Sequence, residues 1–257
     1  MDILRKELNQ IYSDQHLQDE ALDMSKIEVA KGLAETLSVT TGGCAVITDA
    51  CYNKCYIYSS GLGALIGLSN EKKLYCENDS SDEDIIYSRI HPEDIAEKRM
   101  LEYEFFKLTN SVDSNEKKDY KATCRIRIKS VNNDYIIIEN STQIVELSPA
   151  GKMWIILCCY NLSPDQKEFN DIAPHIINNS TGKIITLSLG ERKKRILSER
   201  EKEILRLIRE GKASKTIADI LEISVHTVNR HRQNIIEKLS VSNSIEAINA
   251  ATSMGLL

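Results

Sequence analysis

The 257-residue sequence has no run of uncharged apolar residues near the roughly 20 needed to cross a bilayer. Its opening, MDILRKELNQIYSDQHLQDE, carries charges where a secretory signal needs an apolar core. These two absences predict a soluble, cytoplasmic protein with no membrane partner. There is no nucleotide-binding glycine loop, no nucleophile motif and no cluster of metal ligands, so an enzyme has the least support. No internal repeat or low-complexity tract occurs. The seven cysteines (Cys44, Cys51, Cys55, Cys76, Cys124, Cys158 and Cys159) are odd in number and follow no secretory signal, which argues against a disulfide framework. Cys51 and Cys55 lack a second pair at zinc-ligand spacing. The cysteines read as reduced thiols, several packed as small hydrophobes. No pattern names a cofactor.

What is present is a globular apolar content of 42% and an uneven charge. The net charge is −5. Residues 1–190 hold 20 Lys and Arg against 29 Asp and Glu, a net of −9; residues 191–257 hold 13 against 9, a net of +4. An acidic body with a basic tail points to a polyanionic partner at the C-terminal end.

Helical spacing of Ile3, Leu4, Leu8 and Ile11, and of Ile27, Ala30, Leu33, Ala34 and Leu37, predicts helices over residues 1–38. Thr40-Thr41-Gly42-Gly43 then breaks the pattern. CAVITDACYNKCYIYSS reads as two strands around a turn near Asn53. A helical stretch around LGALIGLS and an acidic patch, CENDSSDEDII, follow. Pro92, with Glu93 and Asp94 behind it, starts a helix. YKATCRIRIKS alternates, with Ala122, Cys124, Ile126 and Ile128 on one face. Two further strands, DYIIIENSTQIVEL and KMWIILCCY, complete an antiparallel meander. This order predicts an α+β fold. Residues 161–195 hold one short strand candidate, KIITLSL, and become a linker near Gly190.

The C-terminal stretch opens on Ser198-Glu199-Arg200-Glu201, a capping box. Its helix turns Ile204, Leu205 and Ile208 inward, and Gly211 is placed to end it. A second helix, SKTIADIL, is expected to bury Ile217, Ala218, Ile220 and Leu221. Ser224 caps a third, SVHTVNRHRQNIIEKL, whose apolar residues are Val225, Val228, Ile235, Ile236 and Leu239. The fourth, SIEAINAATSMGLL, shows Ile245, Ala247, Ile248 and Ala251. On the third helix, Val228, His231, Ile235 and Leu239 share an inward face. His226, Asn229, Arg230 and Gln233 share the opposite face. Asn and Gln can bind adenine bidentately and Arg can bind guanine, so that face suits a DNA major groove. Arg232 sits to the flank, where phosphate is the expected target. Ser224 and Thr227 can offer hydroxyls or amides to phosphate. Ser214 and Lys215, at the start of the second helix, complete the expected DNA-binding set. His231 is expected to be structural.

LSEREKEIL, Gly211, IADIL, IS-x-x-TV, the His of RHRQNI and EKLSV, all within residues 197–241, resemble the LuxR-type (NarL/FixJ-like) helix-turn-helix family. The resemblance implies a four-helix DNA-binding domain, a recognition helix from Ser224 to about Leu239, and a fourth helix, around residues 243–254, that often makes the dimer contact on DNA. Two departures from it involve four positions. Ala213 and Thr216 stand where the family often has a second capping box, and Asn229 and Gln233 stand where relatives often carry Lys or Arg. The order of elements over residues 44–160, with IHPEDI at 90–95, resembles a PAS-like domain, which implies a sensory or dimerisation module. His91 reads as the start of a helix in that motif and not as a haem ligand.

The expected layout is therefore an N-terminal helical segment over residues 1–40, a PAS-like sensor over 41–162, a connector over 163–190 and a helix-turn-helix domain over 191–257. The function it predicts is a bacterial DNA-binding transcriptional regulator. Its expected partners are double-stranded DNA, a second copy of the chain as a homodimer, and RNA polymerase as a further candidate. The alternatives are a sigma-factor-like promoter-recognition protein and a ligand-sensing or protein-interaction module without DNA binding.

Overall fold

The computed structural model describes residues 3–68, 74–78, 83–189, 197–239, 241–253 and 256–257. Helix α1 (Ile3–Ser13) and helix α2 (Ser25–Thr41) come first. Gly42, at φ +70°, ends α2 in the left-handed region that glycine adopts without strain. Strands β1 (Cys44–Asp49) and β2 (Lys54–Ser59) form a hairpin around Asn53, which also holds a positive φ. Helix α3 (Gly61–Leu65), strand β3 (Leu74–Asn78) and helix α4 (Asp84–Tyr87) lead to the long helix α5 (Pro92–Ser111). His91 caps α5, its Nδ1 accepting from the Glu93 amide at 3.3 Å. The meander follows as β4 (Tyr120–Lys129), β5 (Tyr135–Leu147) and β6 (Met153–Leu162). The expected alternation on β4 holds: Ala122, Cys124, Ile126 and Ile128 are buried, and the Arg and Lys between them are half-exposed.

The stretch read as a connector adds two strands to the sheet, β7 (His175–Asn178) and β8 (Ile184–Thr186). Only the second falls within the stretch expected to be a strand. HIIN is four residues long, too short to show a period, and it exists because β4 leaves a free edge for it at Tyr120–Thr123. The full sheet is antiparallel in the order β3-β2-β1-β6-β5-β4-β7-β8. The first hairpin thus lies beside the last strand of the meander.

The sheet has two covered faces. On one, α2 lays Ile27, Ala30 and Ala34 against Ala45, Ile47, Trp154 and Ile155. Leu33, expected to pack here, is 43% exposed, because the buried stripe of α2 runs through Ile27, Ala30, Ala34 and Ser38 and Leu33 lies off it. The side chains of Ile3 and Leu4 lie outside the described part. On the other face, α5 and its neighbours pack Ala96, Leu101, Phe105 and Phe106 against Val46, Ile126, Ile138 and Ile144. Asp94 ties the start of α5 to β4, accepting from the Arg127 amide at 2.8 Å and from its guanidinium. Among the described residues, no helix is long and apolar enough to cross a membrane.

The C-terminal unit is all helical: α6 (Glu199–Arg209), α7 (Ser214–Leu221), α8 (Val225–Lys238) and α9 (Ser244–Ser253). The expected linker near Gly190 lies outside the described residues. Helix α9 packs on α6 and α8, and also on α5 of the N-terminal unit.

Candidate nucleic-acid interface

The expected capping box is formed. Ser198 Oγ accepts from the Glu201 amide, and Glu201 accepts from the Ser198 amide at 2.7 Å. Glu201 is buried and also takes Lys238 Nζ at 2.7 Å, which ties α6 to the end of α8. Burial alone would raise the Glu201 carboxyl; Lys238 and the two Ser198 donors instead hold it below the usual carboxylate value. Gly211, at φ +79°, follows α6 as expected. Arg200 donates to the Leu221 carbonyl at 2.8 Å, placing a cation at the C-terminal end of α7 where the helix dipole favours it.

Helix α8 is anchored by Val228, Ile235 and Leu239, all essentially inaccessible. His231 is half-buried, and its Nδ1 is buried with no hydrogen-bond partner among the described residues. Ser224 caps the helix, accepting from the Thr227 amide at 3.0 Å, with the two hydroxyls 2.8 Å apart. His226, Asn229, Arg230 and Gln233 are all exposed on the face away from the core. Gln233 Nε2 donates to Glu237 at 2.9 Å. Lys215 and Ser224 are exposed, and Ser214 and Thr227 half-buried. Arg232 is also half-buried, and its guanidinium donates to Ser214 Oγ and to Ser244 Oγ, each at 2.9 Å.

Three apolar residues of the helical unit are exposed, of which Ile220 was expected to be buried. Val225 is 41% exposed, Ile220 50% and Ile245 73%. Val225 lies four residues before Asn229 and shares its face, so sequence reasoning missed it as an interface residue. The signal was available: Val225 is offset from the Val228–Ile235–Leu239 stripe. A valine there can meet a thymine methyl.

The N-terminal unit holds a second unusual feature. Ser59, Cys44, Tyr160, Asn140 and Cys124 face one another across five adjacent strands, all buried. A polar row thus crosses the middle of an apolar sheet face. Glu83, Tyr87, Lys98 and Glu102 meet the same region from the helices. Tyr160 donates to Glu83, Tyr87 Oη donates to Glu102 at 2.6 Å, and the fully buried Lys98 donates to Tyr87 at 2.8 Å and to Glu102. Burial pushes the Glu83 carboxyl up, Cys44 up to about 11 and Cys124 up to about 12, so these thiols stay protonated at neutral pH. A cavity of about 30 Å³, room for one or two water molecules, lies between Glu83, Glu102, Thr142 and Cys158 and the α1 side chains Leu8, Asn9 and Tyr12.

Residues 195–251 match the family described as "Bacterial regulatory proteins, luxR family". Over 60 residues the chain is 50% identical to the uncharacterized response regulatory protein YgeK of Escherichia coli K12, covering 23% of this chain and 41% of that one. It is 47% identical to the regulatory protein SdiA of the same organism over 60 residues, 23% of this chain and 25% of that one. The chain thus matches well under half the length of these curated relatives. Solved structures of a phage VqmA–DPO complex and of a Vibrio cholerae VqmA dimer without target DNA align over 91% and 92% of this chain and 91% and 89% of theirs. Both are 16% identical to it, with TM-scores of only 0.32 and 0.31. The C-terminal quarter of the chain is therefore a helix-turn-helix domain of the luxR family of bacterial regulatory proteins.

Proposed function

We propose that the protein is a cytoplasmic bacterial transcriptional regulator, in which α8 reads the DNA major groove and the PAS-like unit senses a signal or holds two copies together. The observation that carries this reading is the division of α8. One side is fixed by Val228, Ile235 and Leu239; the other presents His226, Asn229, Arg230 and Gln233 to solvent. Four exposed groups able to pair with base edges, on a helix whose other side is packed into the core, suit direct readout. Val225 adds an apolar contact. Ser214, Lys215, Ser224 and Thr227 suit phosphate, and Arg232 lies on that flank. A dimer would place two such helices about 34 Å apart, one turn of DNA, on a two-fold-related operator. RNA polymerase is the further partner that an activator of this kind would meet.

For the sensor, the supporting observation is the buried cluster of Glu83, Lys98 and Glu102 with its two tyrosines. Burying such groups is costly unless every one is paired, and an apolar core would be simpler. Helix α5 carries Lys98 and Glu102 on the side towards the sheet and also packs on α9, so it joins the cluster to the DNA-reading unit. The test is selection of DNA from a random library by the full chain. One enriched two-fold motif supports the reading; no enrichment contradicts it.

A further inference from the structure

Arg232 and Arg230 are two residues apart on α8 and differently placed. Arg230 is exposed with the reading face. The Arg232 guanidinium reaches two other helices, giving one bond to Ser214 Oγ and one to Ser244 Oγ, both 2.9 Å. Ser214 is the first residue of α7 and Ser244 the first of α9. One planar group thus joins three helices. Helix starts are the positive ends of their dipoles, so a cation between two of them gains nothing from those dipoles. The hydroxyl acceptors hold it, and they suit the fixed fork of a guanidinium. Moreover, Ala213 leaves α7 without a side-chain cap, so the bond to Ser214 secures an end that is otherwise weakly fastened.

From this geometry we propose that Arg232 is a positioning residue. It clasps the first turns of α7 and α9 to α8, and so fixes the angle at which His226, Asn229, Arg230 and Gln233 meet the bases; it does not act as a phosphate contact. The proposal rests on the DNA-reading function above, and one part of its test is independent of DNA. In the full chain without DNA, Arg232→Ala and Arg232→Lys both speed amide hydrogen exchange in the first turns of α7 and α9, while Arg230→Ala does not. On the selected operator, both Arg232 variants weaken specific binding about tenfold, with the slope of log affinity against log salt unchanged. Ser244→Ala, which leaves every proposed DNA contact in place, moves binding and exchange the same way by less. Should Arg232→Ala lose its helical signal altogether, Arg232→Lys and Ser244→Ala carry the same comparison. The proposal is overturned if Arg232→Lys behaves as wild type, or if Arg232→Ala flattens the salt slope by about 1, as loss of a phosphate contact would. A wild-type chain that selects no DNA sequence would instead overturn the regulator reading, and the exchange comparison would still decide the clasp.

Discussion

Arg230 and Gln233 stand three residues apart on the exposed side of α8, and each can pair with a base edge, Gln233 by giving up its bond to Glu237. Replacing either by alanine should remove about 1–3 kcal/mol of discrimination at one operator position. Competition binding against operators altered base by base measures this, and the two losses should map to different positions. Lys215→Ala should behave otherwise: all sequences weaken alike and the salt slope flattens by about 1. On the buried side, Ile235→Ala should cost about 2–5 kcal/mol in the stability of the helical unit. Residues 197–257 contain no Phe, Tyr or Trp, so that unit has an aliphatic core without large rings to close a gap. Amide exchange in α8 reads the loss, since the single tryptophan, Trp154, lies in the sheet. At this scale the sequence was legible for the stripe Val228–Ile235–Leu239 and for the exposed polar face. It misled at Ile220, because a helical wheel places residues on a face but does not say how much of that face a neighbour covers. In a four-helix unit the cover runs out before the apolar residues do.

The capping box and the Glu201–Lys238 pair are properties of elements, since they decide where α6 begins and how it meets α8. Ser198→Ala should destabilise α6 by about 0.5–2 kcal/mol, read from exchange of its first-turn amides. Glu201 also gives the unit a pH dependence. Its carboxyl is held below the ordinary value of 4.5, so its stabilisation is complete above that value. It is lost as pH falls through the lower, folded-state value. In Glu201→Gln, exchange protection in α6 and α8 should be weaker at pH 7 and should fall less between pH 5 and pH 3. An equal fall in both proteins would assign the acid sensitivity elsewhere. The capping box was legible because it is a local pattern with fixed spacing. Strand β7 was not, because its register comes from β4, some fifty residues earlier in the chain, and nothing within HIIN records that neighbour.

At the scale of the whole molecule, the charge split has the clearest expression in structure: an acidic sheet-based body and a basic helical tail. The two are joined through α9, which packs on α5. The buried polar row across the sheet was not legible. Its members lie on five strands, and only the strand order brings Ser59, Cys44, Tyr160, Asn140 and Cys124 into one line. Sequence-specific regulation depends on α8 reading bases with its exposed side. The most direct measurement is DNA selection from a random library by the 257-residue chain, run in parallel for wild type, Arg230→Ala and Gln233→Ala. The account predicts that wild type enriches a two-fold-related motif with half-sites about 10 base pairs apart, and that each variant loses preference at its own position. Enrichment of the same motif by all three proteins would contradict it.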